Sequence, residues 1–217
     1  MTDFDRDFWQ RHWAERETRG VPTPHPYLAT ETAQLAPGTV LDAGCGAGAE
    51  ALWLARQGWS VTAADISASA LDEAKRHERA AGTTTPIEWI EADLSRWNPD
   101  RTWSLVVTSY AHAEIGQLAL YERLASWVAP GGTLLIVGHA ASEHQEAGHA
   151  AHEHVGESLH AAHPHEATVT REAIAGLFTA ADWSIETSTE HTRTAHPGGA
   201  SVELRDVVVR ARRLGGE

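Results

Sequence analysis

The sequence predicts an α/β protein built on a doubly wound, mostly parallel sheet that finishes with an antiparallel pair. Three observations carry that prediction. Short apolar runs alternate with stretches of helical periodicity from Thr39 to His139. A glycine-rich loop joins the first such run to the first long helical stretch. The chain then closes on two consecutive strand patterns with no helix between them.

Taken in order, Phe4, Phe8, Trp9 and Trp13 stand at helical spacing and predict an N-terminal helix with an aromatic face. The prolines of GVPTPHP break that pattern. TVLDAG reads as a short buried strand, and AEALWLARQG as a helix ended by Gly58. SVTAAD is a second strand, followed by a helix from Ser67 to about Ala81 that stops at Gly82. PIEWIEAD and WSLVVTS are the third and fourth strands. Leu120, Leu124 and Val128 predict a helix stopped by the PGG of residues 130–132, with GTLLIVGH as the fifth strand. TREAIAGLFTAADW places Ile174, Leu177 and Phe178 on one helical face. WSIETSTEHT and VELRDVVVRARR are the closing strands, joined by the hairpin-like TAHPGGAS. Only residues 140–168 interrupt this rhythm. The expected organisation is one domain over residues 1–217, with an N-terminal helical cap over 1–36 and a His-rich insertion over 140–168.

A length of 217 residues suits one well-buried α/β domain. The formal charge of −13 argues against a grip on nucleic-acid phosphates or anionic membranes, but suits a neutral or cationic small ligand. The single cysteine, Cys45, excludes an intramolecular disulfide. MTDFDRDFWQRHW is acidic and amphipathic, unlike a signal peptide. No apolar run approaches the roughly 20 residues of a membrane span. A soluble, cytoplasmic protein is expected. The nine tryptophans are many, and tryptophan favours places that are apolar on one side and polar on the other, such as pocket walls.

LDAGCGAGAE sets Asp42, Gly44, Gly46 and Gly48 between the first strand and the helix after it. Glycines there let a backbone approach a ligand closely. Gly44, Gly46 and Ala49 satisfy the weaker form of the nicotinamide fingerprint G-x-G-x-x-G/A, and Asp65 at the end of the second strand can hold a ribose hydroxyl. The loop alone leaves the cofactor open.

Asp42 to Gly48 also resembles motif I of the class I S-adenosylmethionine (SAM)-dependent methyltransferases, D-x-G-x-G-x-G, at every fixed position. The resemblance implies a Rossmann-like, seven-stranded methyltransferase sheet and SAM as cofactor. It places Asp42, Ala43, Gly44, Gly46 and Gly48 around the cofactor, with Asp65 on the ribose hydroxyls and Ile66 on the adenine face. Asp93 and Leu94, from EADL, then lie near the adenine amine, and VAPGGTLLIVGH and the antiparallel finish also fit the family. Within it the chain looks most like small-molecule methyltransferases of the tellurite-resistance and thiopurine-methyltransferase type. The chemistry agrees. SAM carries no phosphate, and carboxylates suit its hydroxyls, adenine and cationic sulfonium.

Methyl transfer is an in-line displacement, so the protein's main tasks are positioning and water exclusion. A base is needed only where the acceptor arrives protonated. VVTSYAHAE ends the fourth strand, where the family's cofactor and acceptor surfaces meet. Ser109 and Tyr110 border the cofactor there, and His112 is the candidate base or acceptor hydrogen bond, with Tyr110 beside it. Trp9, Trp13 and His139 are candidate acceptor contacts. A small molecule presenting sulfur, selenium or nitrogen is preferred to an oxygen acceptor. The signature of DNA amino methylases, an acid or Asn followed by Pro-Pro and an aromatic, is absent from TSYAH. The competing readings are a nicotinamide-dependent oxidoreductase and a metal-binding protein on a SAM-binding fold.

HAAHEH and HAAHPH begin eleven residues apart, at His149 and His160. On a helix both would share one face, yet stand about 16 Å apart at 1.5 Å per residue, too far to share one ion. H-E-x-x-H is absent, and no metal ligand is assigned. The segment leaves the carboxyl edge of the sheet, where ligands bind in open α/β folds. Three readings stay open: a solvated lid, a lid whose histidines touch the acceptor, and a Zn²⁺ or Ni²⁺ site, including adventitious binding.

Overall fold

The structure is a computed structural model that describes residues 4–15, 20–83, 85–141, 168–195 and 201–215. Its elements run α1 (Arg6–Ala14), α2 (Leu28–Thr32), β1 (Thr39–Ala43), α3 (Ala49–Arg56), β2 (Ser60–Asp65), α4 (Ala68–Ala81) and β3 (Glu88–Glu91). There follow β4 (Trp103–Ser109), α5 (Gln117–Ser126), β5 (Val128–Ala140), β6 (Thr168–Val169), α6 (Arg171–Ala175), β7 (Trp183–Ala195) and β8 (Val202–Arg213).

The sheet order is β3-β2-β1-β4-β5-β8-β7, with the two-residue β6 beside the end of β5. Strands β1 to β5 pair in parallel, and β8 lies antiparallel to both β5 and β7. The antiparallel strand therefore sits one place inside the edge. The cause of the double winding is visible in the core. Leu41, Val106, Leu134, Ile136, Val207 and Val209 pack on one face with α5 and α6. Their strand neighbours Val40, Leu105, Val107, Leu135, Val137 and Val208 pack on the other with α3 and Leu28. Strands buried on both faces need unbroken apolar runs, which is what these strands carry.

Local chemistry sets the helix ends. Asp5 accepts from the Phe8 amide at the start of α1, Ser67 from Ala70 at α4, and Thr170 from Ala173 at α6. Gly82 closes α4 in the left-handed conformation. Two elements differ from expectation. PGG does not separate a helix from a strand: β5 already begins at Val128, and the pairing to β4 jumps from Val128 to Thr133, so residues 129–132 loop out as a bulge. The helix expected over TREAIAGLFTAADW stops at Ala175, because Gly176 follows and the chain continues in turns to Trp183. The repeats HAAHEH and HAAHPH, and the centre of TAHPGGAS, lie outside the described residues. Among the described residues no helix is long and apolar enough to cross a membrane.

Candidate cofactor and acceptor site

The site is built at the carboxyl edge of β1, β2, β3 and β4. Gly44, Gly46 and Gly48 all have positive φ (79°, 50° and 84°), which explains glycine at each alternate position of the loop. Side chains crowd them closely: a Cβ on Gly46 would stand 2.6 Å from the Trp13 ring, and one on Gly48 would stand 2.7 Å from Trp89. The loop's amides are turned inward. Gly44 and Cys45 both donate to the Ala64 carbonyl (2.8 and 3.1 Å), Gly48 donates to Cys45 O, and Gly46 donates to Asp65 (2.8 Å). Such a loop does not hold out the row of free N–H groups that a pyrophosphate needs.

Its carboxyls reinforce the point. Asp42 is buried at the end of β1 with one oxygen lacking any hydrogen bond. Burial pushes its pKa well up, and the nearby Glu50 charge adds to the shift. Glu50 is itself raised by burial, and it accepts from the His25 amide (3.0 Å). Asp65, also raised by burial, takes the amides of Gly46 and Ser67 (2.8 and 2.9 Å), with half-buried Ile66 between. Asp93 spends one carboxylate oxygen on the Ser95 amide and hydroxyl (2.9 and 2.5 Å), capping the turn after β3. Leu94 is buried beside it, 4.0 Å from the Cβ position of Gly44. Buried Ala43 completes the strand end.

Where β4 ends, Ser109 Oγ is buried without a hydrogen bond, and Tyr110 follows at φ 54°. Tyr110 is the one non-glycine residue at positive φ among the described residues. A bulky side chain in that conformation costs on the order of 1–3 kcal/mol, and such strain gathers at functional sites. The His112 ring lies against Phe4 (5.1 Å) and Trp9 (6.3 Å), and its Nδ1 is 3.1 Å from Gln117 Oε1. The Gln117 amide nitrogen donates to Ala111 O and Tyr121, so its oxygen must accept, which puts the proton of His112 on Nδ1. Helix α1 therefore lies across the strand ends. Arg6 pairs with Glu91, Gln10 meets Ser67 and Ser69, Trp13 covers Gly46, and Phe4 and Trp9 cover His112. Of the expected acceptor contacts, Trp9 is thus near His112, whereas Trp13 lies on the glycine loop.

This cradle suits a ligand with hydroxyls and cationic groups and no phosphate. Residues 40–132 match the family described as methyltransferase domain. Over those residues the chain is similar to a methyltransferase domain. It is 41% identical over 101 residues to an uncharacterized methyltransferase of Mycobacterium tuberculosis, covering 45% of this chain and 49% of that one. It is 26% identical over 143 residues to a probable thiol methyltransferase of Arabidopsis thaliana, covering 63% of each. The chain spans about half the length of the first curated relatives it matches. The fold is that of TehB from Haemophilus influenzae (TM-score 0.68, 16% identity, covering 95% of this chain and 66% of that one). It is likewise that of a protein solved in a study of the conversion of a disulfide bond into a thioacetal group during echinomycin biosynthesis (TM-score 0.68, 21% identity, covering 98% and 93%).

Sequence reasoning missed part of what the candidate site contains. Asp206 on β8 is fully buried, accepting from Arg193 (2.5 Å) and from the Tyr27 hydroxyl (3.0 Å). Arg193 reaches the Tyr110 hydroxyl (3.3 Å), and Tyr110 packs its ring on His139 (4.7 Å). Burial pushes the Tyr110 hydroxyl far above its ordinary value, so it is a neutral phenol throughout the working pH range. His25 is buried, with neither ring nitrogen hydrogen-bonded. One signal was available: an Asp directly before VVV in a strand has to be buried with its partner. Among the described residues no group of three or more His, Cys, Asp or Glu is placed to hold a metal ion.

A second support was also missed. His77 on α4 bridges the Ala47 carbonyl (Nδ1, 3.0 Å) and the Glu73 carboxylate (Nε2, 3.0 Å) beneath the glycine loop. His77→Ala is expected to weaken SAM binding about tenfold, the worth of a lost buried hydrogen bond to a loop that must hold its shape. Calorimetric titration with SAM checks this, and unchanged affinity would show that the loop holds itself.

Proposed function

We propose that this chain transfers the methyl group of SAM to a small-molecule acceptor, through sulfur, selenium or nitrogen in preference to oxygen. The observation that carries the reading is the bridge made by α1. One nine-residue helix lays Trp13 on the glycine loop and Trp9 beside His112, so cofactor and acceptor surfaces share one aromatic roof. Such a roof suits a small ring or chain as acceptor. The preference for sulfur also draws on the Arabidopsis relative, which is named a thiol methyltransferase.

In this reading Asp65 serves the ribose hydroxyls, and the backbone of residues 43–48 with Asp42 serves the amino-acid end. Ile66, Asp93 and Leu94 border the adenine, and Ser109 borders the methyl-bearing sulfur. When bound, SAM supplies the activated methyl carbon. The protein's contribution is to align the acceptor behind it and keep water out. His112, His139 and the neutral Tyr110 offer the acceptor hydrogen bonds, while Trp9 and Trp13 close the roof. A nicotinamide cofactor fits poorly, since the loop amides are committed and the carboxyls of Asp42, Glu50 and Asp65 are buried beside the loop.

The test is a panel of thiols, halides, amines, imidazoles and phenols, read by S-adenosylhomocysteine production. Turnover is expected with at least one thiol or nitrogen acceptor. Binding of NADH without binding of SAM would overturn the reading.

A further inference from the structure

We propose that His139, oriented by the buried carboxylate of Asp206, is the base that takes the proton from the acceptor's nucleophile. The proposal rests on the methyltransferase reading and narrows it: the acceptor enters with its proton, as a neutral thiol or N–H group, not as a preformed anion or halide.

The argument begins with an orphaned atom. Asp206 is fully buried, and both of its hydrogen bonds, from Arg193 and Tyr27, fall on Oδ2. Its Oδ1 is buried and receives none. A structural role as partner to Arg193 and Tyr27 accounts for one oxygen and leaves the other unexplained. The β5–β8 ladder supplies the explanation, because it sets His139 directly opposite Asp206. His139 Nδ1 stands 3.9 Å from that orphaned oxygen. The separation is long for a hydrogen bond, and catalytic contacts of this kind shorten when substrate is bound. Closure holds the proton on Nδ1, leaves the lone pair on Nε2, and places a negative charge where the imidazolium will form.

His112 has the same tautomer but a weaker support, since the neutral amide of Gln117 fixes its ring without balancing a new positive charge. The two imidazoles lie 6.4 Å apart and stack, and the Tyr110 ring lies 4.7 Å from that of His139. Tyr110 follows Ser109 at the end of β4, the strand beside the one that carries the glycine loop. Ser109 Oγ, next to Tyr110, and both nitrogens of His25 are further buried polar atoms without hydrogen-bond partners. Among the described residues, the charged or titratable groups around His139 include Asp206 on β8, Arg193 and His191 on β7, Tyr110 and His112 after β4, and Tyr27 and His25 before α2.

The step balances as follows. The acceptor's X–H bond breaks and its proton passes to His139 Nε2. The pair left on X forms the X–CH₃ bond as the carbon–sulfur bond of SAM breaks. That bonding pair stays on sulfur, giving neutral S-adenosylhomocysteine, and His139 then releases the proton to solvent.

The experiment compares full-length wild type, His139→Gln, His112→Gln and Asp206→Asn in kcat/KM against pH, using the best proton-bearing acceptor from the panel. Calorimetric SAM affinity and Tm are measured alongside. His139→Gln is expected to lose about 100-fold or more, typical of a removed general base, and to exchange the imidazole-range acid limb of the profile for one set by the acceptor's own ionisation, while still binding SAM. Asp206→Asn keeps an oxygen for Arg193 and Tyr27 but offers an N–H to His139, so it is expected to lower kcat with little change in KM. Raising the pH until the acceptor is already anionic is expected to rescue both variants. A His139→Gln enzyme with wild-type rate and an intact acid limb would overturn the assignment. So would loss of that limb in His112→Gln alone. If wild type produces no S-adenosylhomocysteine from any acceptor, the broader reading has failed instead.

Discussion

Replacing Gly44 with alanine is expected to lower stability by about 3 kcal/mol and to remove measurable SAM binding. Two costs add at that position. The residue sits at φ 79°, where a side chain is strained by on the order of 1–3 kcal/mol. The new Cβ would also stand 2.3 Å from Ala111 Cβ and 3.5 Å from Ala111 Cα, atoms that only a backbone shift can move. Overpacking of this kind typically costs about 1–3 kcal/mol. The shift would carry Tyr110 and His112 with it, disturbing the acceptor side through a change made on the cofactor side. Gly46→Ala is the informative contrast. Its clash is with the ring of half-buried Trp13, at 2.6 Å, and that side chain can swing away. Gly46→Ala is therefore expected to lose less stability than Gly44→Ala, and Trp13→Ala in the same chain is expected to recover part of the loss. Urea unfolding and SAM calorimetry on the four proteins check the pattern. SAM affinity within threefold of wild type in Gly44→Ala would show that the loop relaxes freely.

That contrast marks where sequence reading reached. The glycine loop, Asp65 and Asp93 were legible because each lies at the end of its own strand, within a contiguous run whose spacing is local chemistry. Leu41 and Val40, or Val208 and its neighbours, were legible as two-faced strands for the same reason. On the acceptor side His139, His112 and Tyr110 could be named, but their support could not. Asp206, Arg193 and Tyr27 come from three separate segments, brought to His139 by the β5–β8 and β7–β8 registers and by the Tyr27 hydrogen bond to Asp206. A strand pattern indicates that Asp206 needs a partner but cannot name it. The tautomer of His112 likewise depends on Gln117, a residue that reads simply as the start of a helix. Trp13 shows a subtler limit. Helical spacing groups it with Trp9, yet one turn along α1 is enough to move a ring from the acceptor side to the glycine loop.

Acidification from pH 7.5 to pH 5 is expected to cost the fold about 2 kcal/mol through His25 alone. His25 is 8% exposed, neither ring nitrogen is hydrogen-bonded, and burial pulls its pKa down to about 4, with Asp206 raising and Arg193 lowering it further. The sign follows directly. A folded value below the unfolded value of about 6.5 means that the unfolded chain takes the proton first. The contribution is complete above pH 6.5 and is lost as pH falls through about 4, reaching about 3 kcal/mol at the limit. Asp42, Glu50 and Asp65 act in the opposite sense. Burial raises all three, so their ionised forms burden the native state, and protonation in acid relieves it. The net slope of wild-type stability with pH is thus a sum of opposing parts, and only a difference between proteins isolates His25. His25→Phe removes the titrating ring and keeps the backbone amide that binds Glu50, so the carboxyl contribution is preserved. Its stability is expected to fall between pH 7.5 and pH 5 by about 2 kcal/mol less than that of wild type, read from urea midpoints at the two pH values. Equal losses in both proteins would mean that His25 carries its proton at no cost in the folded state, and the buried, neutral ring described above would have to be abandoned.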